Sequence, residues 1–244
     1  MDKCYTFFAI FTQTGVFLMT ETVIFILEII GTVAFAWSGA MTAIKKGMDI
    51  FGVAILGIVT AVGGGVIRDL ILGNTPPNTF LNPIFGVLAA AVALIAFIPF
   101  VRRQFLKHHR SYDVSMLVMD SLGLGIFTVV GVGVAYEAVE FNILLFAFVG
   151  VITGVGGGVL RDMMAGQTPY IFVKHFYACA SLIGALLTIV LIPICGVTPA
   201  MLIGSVVIII LRFLAAHYRW SLPKAHELPE ETDASANKET TTKQ

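Results

Sequence analysis

Two arginine–aspartate pairs stand in this sequence where charge is costly. Arg68-Asp69 and Arg161-Asp162 each lie inside an otherwise apolar stretch, and each follows a glycine triplet at the same spacing, Gly63-Gly64-Gly65 or Gly156-Gly157-Gly158. The second copy comes 93 residues after the first, and both run on alike, into Gly73-Asn74-Thr75-Pro76 and Gly166-Gln167-Thr168-Pro169. An ionised side chain in hydrocarbon is expensive, so intramembrane charge points to a pathway for ions or polar solutes rather than to a plain anchor. Glycine costs about 1 kcal/mol against alanine inside a helix. Three in a row predict a bend or break in each helix, with freed carbonyls that need protein, water or an ion as partners. The alternative use of such small residues is a close helix crossing without permeation. Thr60 and Thr153 precede their triplets by three residues and are placed to line the bend. Thr75-Pro76 and Thr168-Pro169 read as the helix ends, because a residue before proline disfavours the helical region.

The charges need partners. Neighbours on a helix do not face each other, which predicts different partners for Arg68 and Asp69. Glu28 matches Asp120 at an offset of 92, as Phe35, Gly39 and Ala43 match Phe127, Gly131 and Ala135. The depths of these residues in their spans predict two symmetry-related acid–base pairs, Glu28–Arg68 and Asp120–Arg161. The alternative is that each charge snorkels to its own polar surface.

The elements that must position these residues follow from composition. The chain has 244 residues, 57% apolar and 12% charged, with a mean hydropathy of +0.92. Soluble domains carry about a quarter charged residues, so this is a polytopic all-α membrane protein. Crossing the hydrocarbon takes about 20 apolar residues. Stretches near 23–43, 50–73, 83–101, 114–136, 141–166, 176–194 and 199–214 qualify, giving seven transmembrane helices. Lys45 and Lys46 follow the first, Arg102, Arg103, Lys107 and Arg110 the third, Lys174 the fifth, and Arg219 and Lys224 the seventh. The positive-inside rule then places the N-terminus outside and the C-terminus in the cytoplasm.

Each repeat holds three spans, an odd number, so the second copy enters the membrane from the opposite side. Inverted repeats of this kind place the working site of transport proteins near the midplane. The expected division is an N-terminal extension over 1–20, a first three-helix repeat over 21–110, a second inverted repeat over 111–196, a seventh helix over 197–220 and a disordered, polar cytoplasmic tail over 221–244. The extension reads as an interfacial lead-in, with Met19 as an alternative start. On this layout Arg68 is displaced toward the outside of the glycine midplane by ~6 Å of helix, and Arg161 toward the cytoplasm by the same amount.

Other chemistries find no support. No phosphate-binding loop or dinucleotide fingerprint surrounds the glycines. Cys4, Cys179 and Cys195 have neither metal-ligand nor disulfide spacing, and His108 and His109 sit in a basic loop. No metal, cofactor or enzymatic activity is expected. The net charge of zero gives no reason to propose nucleic acid.

With Phe35-Ala36-Trp37-Ser38-Gly39-Ala40 before the first motif and Asp120-Ser121-Leu122-Gly123-Leu124-Gly125-Ile126-Phe127-Thr128 before the second, the doubled phrase resembles a known bacterial family. It is similar to the prokaryotic trimeric intracellular cation channels, a family also labelled glycine transporters. The resemblance runs over about 21–218. It implies two inverted three-helix repeats plus a seventh helix, and a homotrimer in the bacterial inner membrane with a pore inside each subunit. It implies helices one, two, four and five around that pore, gated where the glycines kink helices two and five. Potassium, and also sodium, would be the ions conducted, with membrane lipid as the other partner. The chain lacks the Lys-Glu-Val signature of the animal members, so their phosphoinositide binding is not expected. A secondary transporter for glycine or another small amino acid fits broken, inverted helices equally well.

Overall fold

The computed structural model describes residues 2–106, 109–173, 176–218 and 220. The expected tail over 221–244, and Lys107, His108, Lys174, Arg219 and Lys224, lie outside the described residues. All regular structure among the described residues is helical. In chain order the helices are α1 (Asp2–Lys45), α2 (Ile50–Ile71), α3 (Asn78–Leu81), α4 (Ile84–Phe97), α5 (Pro99–Leu106), α6 (His109–Ala138), α7 (Ile143–Met164), α8 (Tyr170–Val173), α9 (Tyr177–Cys195) and α10 (Val197–His217). Among the described residues six segments are long and apolar enough to cross a membrane: Glu21–Lys45 of α1, α2, Arg110–Ala138 of α6, α7, α9 and α10.

The seventh crossing differs from its expected form. The third apolar stretch is not one helix over 83–101 but α4 followed by α5, bent by 75°. Ile98 stands before Pro99 and adopts φ −55°, ψ 130°, which ends α4, as a pre-proline residue must when it leaves the helical region. The 14 residues of α4 span only ~21 Å, short of the ~30 Å of a hydrocarbon core. α5, with Arg102 and Arg103, turns away at that end.

The two central helices share one local design. Asp49 caps α2 by accepting from the Gly52 amide at 2.7 Å, and Asn142 caps α7 by accepting from the Leu145 amide at 3.0 Å. Each side chain satisfies an amide that the first helical turn leaves unpaired. Each helix ends on a left-handed glycine, Gly73 at φ 77° and Gly166 at φ 62°. Asn74 N–H donates to the Asp69 carbonyl at 2.8 Å and Gln167 N–H to that of Asp162 at 2.9 Å, closing a six-residue C-terminal turn in each. The helices therefore stop before Thr75-Pro76 and Thr168-Pro169, which do not set their ends. Glycine accepts the left-handed backbone at no steric cost, and that decides the stop first.

α1, α2 and α4 pack together, as do α6, α7 and α9; the halves meet through α1 against α6 and α2 against α7, and α10 lies on α6 and α9. The outer faces carry exposed Phe25, Ile26, Ile30, Leu144, Phe148, Val190, Val206 and Ile210. The interior holds, beside an apolar core that includes Leu56, Leu124 and Phe146, the polar residues Thr32, Ser38, Thr60, Arg68, Asp69, Asp120, Ser121, Thr153, Arg161 and Asp162. A chain with apolar residues outside and polar ones inside is the distribution expected when the solvent is lipid.

Candidate functional site

The glycine triplets mark where α2 crosses α7. Neither interrupts its helix: α2 and α7 each run unbroken for 22 residues. The expected break is thus replaced by a close approach. A Cβ on Gly64 would collide with the carbonyl oxygen of Thr153, and a Cβ on Gly157 with that of Thr60. Gly64 matches Gly157 and Thr60 matches Thr153, so the contact is reciprocal. Thr60 and Thr153 do not line a bend. Their hydroxyls donate to the Leu56 and Val149 carbonyls, both at 2.6 Å, and press against Gly39 and Gly131. The outer glycines have other neighbours: Gly63 faces the Leu160 side chain, Gly156 faces Gly64, Gly65 meets only Arg68, and Gly158 meets Tyr177.

Two rings complete the centre. Phe35 of α1 and Phe127 of α6 lie 5.3 Å apart. Phe35 occupies the space a side chain at Gly123 would need, and Phe127 that of Gly31. Phe35 also lies against Gly157, so the rings and the glycine crossing form one packed layer.

The charges flank that layer. Arg68 forms an ion pair with Glu28 at 3.7 Å, and Arg161 with Asp120 at 2.8 Å. Arg68 and Asp69 do not seek separate partners, contrary to expectation: Arg68 Nε donates to Asp69 Oδ1 at 2.8 Å, and Arg161 Nε to Asp162 Oδ1 at 2.8 Å. The arginine is long enough to fold back along its own helix, and a neighbouring carboxylate there saves burying either charge alone. The second oxygen of each aspartate holds the following loop. Asp69 Oδ2 accepts from Asn78 N–H at 2.9 Å, at the start of α3. Asp162 Oδ2 accepts from Tyr170 N–H at 2.9 Å, at the start of α8. The Arg161 guanidinium also sits 5.3 Å from the Tyr170 ring centre, and burial pushes the Tyr170 phenol up to about 12 despite the opposing pull of Arg161.

The two ends differ in access. The Glu28–Arg68 end opens into a cavity of ≈ 510 Å³ where, among the described residues, Glu21, Glu28, Asp69 and Glu137 stand against one cation, Arg68. A smaller cavity of ≈ 30 Å³ continues inward past Thr32 and Gly65 to Phe127, room for one or two waters. At the other end the Asp120 and Arg161 side chains are each 1% exposed.

Sequence reasoning missed three participants at that closed end. Ser38 takes a short hydrogen bond from Arg161 Nη1. Arg212 of α10 reaches Asp120 Oδ2 at 3.8 Å. The Tyr177 ring lies 4.7 Å beneath the Arg212 guanidinium. Arg212 carried only part of the signal of Arg68, an arginine in an apolar span, without the neighbouring aspartate, the glycine triplet or a copy in the other half to draw notice.

Duplicated halves around a charged, glycine-packed centre define an α-helical polytopic membrane protein of the transport type. Known proteins agree. A family model described as "Glycine transporter" matches residues 25–100 and again 117–193. The Escherichia coli "UPF0126 inner membrane protein YadS" is 37% identical over 81% of this chain and 93% of its own length. The Bacillus subtilis "UPF0126 membrane protein YvgT" is 33% identical over 81% and 94%. Among solved structures, the Rhodobacter sphaeroides TRIC trimeric intracellular cation channel orthologue superimposes with a TM-score of 0.74, at 32% identity over 82% of this chain and all of that one. A TRIC cation channel solved to explain conductance gives 0.73, at 36% identity over 83% and 97%. The chain belongs to the prokaryotic TRIC family.

Proposed function

We propose that this chain is a monovalent cation channel, conducting potassium and also sodium, with a pore inside each subunit of a homotrimer in the bacterial inner membrane. The pathway runs through α1, α2, α6 and α7. It enters past Glu28, Arg68 and Asp69, crosses the layer of Gly63, Gly64, Gly65, Gly156, Gly157, Gly158, Thr60 and Thr153, and leaves past Asp120, Arg161 and Asp162. Residues 21–110 and 111–196 act as inverted repeats and 197–220 as the seventh helix. The N-terminus lies outside and the C-terminus in the cytoplasm, which puts Lys45, Lys46, Arg102, Arg103 and Arg110 on the cytoplasmic side.

The observation that carries the reading is the open vestibule. Four carboxylates and one guanidinium line it, and a net negative, partly enclosed cleft concentrates cations at its mouth. Conduction requires α2 and α7 to part at Gly64 and Gly157, and Phe35 and Phe127 to swing aside; gating by sliding at the glycine crossing takes the place of gating at a kink. Purified protein in a planar bilayer under a potassium gradient tests this: discrete current steps are expected, reversing near the potassium potential.

A second reading rests on a specific observation. One end is open and the other shut, the form an alternating-access carrier takes in one of its states, and the matching family model is described as "Glycine transporter". Saturable glycine uptake into vesicles without current steps would favour a carrier for glycine or another small amino acid.

A further inference from the structure

The two charged nodes are repeat-related but unequal, and Arg212, from the helix outside the repeat, makes the difference in charge. Glu28, Arg68 and Asp69 sum to one negative charge and border the vestibule. The buried node holds Asp120 and Asp162 against Arg161 and Arg212, two charges of each sign. A buried excess charge is costly, whereas a balanced set can stay dry. Without Arg212 the second node would carry the same single negative charge as the first. Ser38 adds to the asymmetry, since Val130 stands at its matching position and offers no acceptor side chain.

The geometry points to Arg212 of the seventh helix as the latch that keeps the Asp120–Arg161 end of the pathway dry and shut, by balancing its charge. The Asp120 and Arg161 side chains are each 1% exposed, and Arg212 completes the balance of charge from 3.8 Å away. Losing Arg212 leaves a buried excess charge that only entering water can solvate. This rests on the pathway of the proposed function but commits to which end closes and to the residue that closes it.

The test uses a reporter thiol at Thr42→Cys, in the full chain with Cys4, Cys179 and Cys195 replaced by serine. Thr42 is 2% exposed and lies one turn beyond Ser38 toward the end of α1, donating to the Ser38 carbonyl at 2.9 Å. A charged, membrane-impermeant thiol reagent should label it slowly in the parent. Arg212→Gln should raise the labelling rate and the open probability about tenfold or more, a shift of ~1.4 kcal/mol per decade. Asp120→Asn, which leaves one excess positive charge, should do the same. The double variant Arg212→Gln/Asp120→Asn is balanced again and should fall back toward the parent rate. An unchanged rate in Arg212→Gln overturns the latch. So does a double variant as reactive as Asp120→Asn alone, since lost packing would then explain both; this comparison holds even if Arg212→Gln fails to fold. Absence of current steps in every variant, parent included, refutes the channel reading while the labelling rates still decide the latch.

Discussion

Alanine substitution along the triplets separates a close crossing from a flexible hinge. If the glycines serve as a hinge, alanine at each position stiffens the helix alike. If they serve as a crossing, the positions differ. At Gly64 and Gly157 the added Cβ meets a backbone carbonyl oxygen, closer than such atoms come. A backbone cannot rotate aside, so α2 and α7 must separate. Overpacking of this kind costs about 1–3 kcal/mol, and a rigid neighbour puts these sites in the upper half of that range. The helix gains about 1 kcal/mol from losing a glycine. The net cost is about 1–2 kcal/mol, roughly 5- to 30-fold in the folded-to-unfolded ratio. At Gly65 the Cβ meets only Arg68 Nη2, at 3.8 Å, so only the gain of up to about 1 kcal/mol remains. Gly156 meets Gly64 at 3.4 Å and Ile67 at 3.5 Å, ordinary contacts, and behaves like Gly65. The reciprocal positions lie at one helix crossing, so a separation forced by either relieves the other, and the Gly64→Ala/Gly157→Ala double variant should cost less than the sum of the singles. Denaturation in mixed detergent micelles reads these differences. Gly65→Ala destabilising as much as Gly64→Ala would refute the crossing, as would a neutral Gly64→Ala.

Other consequences follow from the same geometry. Arg161→Ala should cost about 3–5 kcal/mol, because it strands Asp162 as a buried charge and leaves Asp120 only the longer pairing with Arg212; Arg68→Ala should cost less, since vestibule water reaches Glu28, and the same denaturation series compares them. Gly73→Ala and Gly166→Ala should each cost about 1 kcal/mol, the penalty of a left-handed backbone with a Cβ, and asparagine should recover part of it; thermal midpoints check this. The Tyr170 phenol titrates at about 12, above its ordinary value near 10. Its folded-state value is raised, so its contribution to stability is full below pH 10 and is lost as pH rises toward 12. The parent-minus-Tyr170→Phe difference in phenolate absorbance should therefore be centred near pH 12, and a midpoint near 10 would contradict the burial.

The sequence by itself determined the class of protein, six of its crossings and the glycines and charges at its centre, but neither the bent form of the third apolar stretch nor the place of the Phe35 and Phe127 rings. Apolar length sets spans, because lipid demands that the backbone satisfy its own hydrogen bonds, and continuous apolar runs of about 20 residues do so as helices. The doubled phrase exposed the internal repeat, and the depths of the charges in their spans paired Glu28 with Arg68 and Asp120 with Arg161. Local rules misled where a second local rule was stronger. Gly73 and Gly166 end their helices before the Thr-Pro steps do, and Arg68 folds onto Asp69 because a long side chain escapes the spacing rule. What only the tertiary structure decided is how the glycines are used and how the symmetry is broken. Three glycines in a row are equally fit to bend a helix or to admit another one, and the packing of α7 on α2 chose the second. Arg212 shows nothing in the sequence beyond an arginine in an apolar span. Its role at Asp120 arises because α10, with no counterpart in the repeat, lies against only one half of the molecule, so two nodes with matching sequences end with different charge and different access to water.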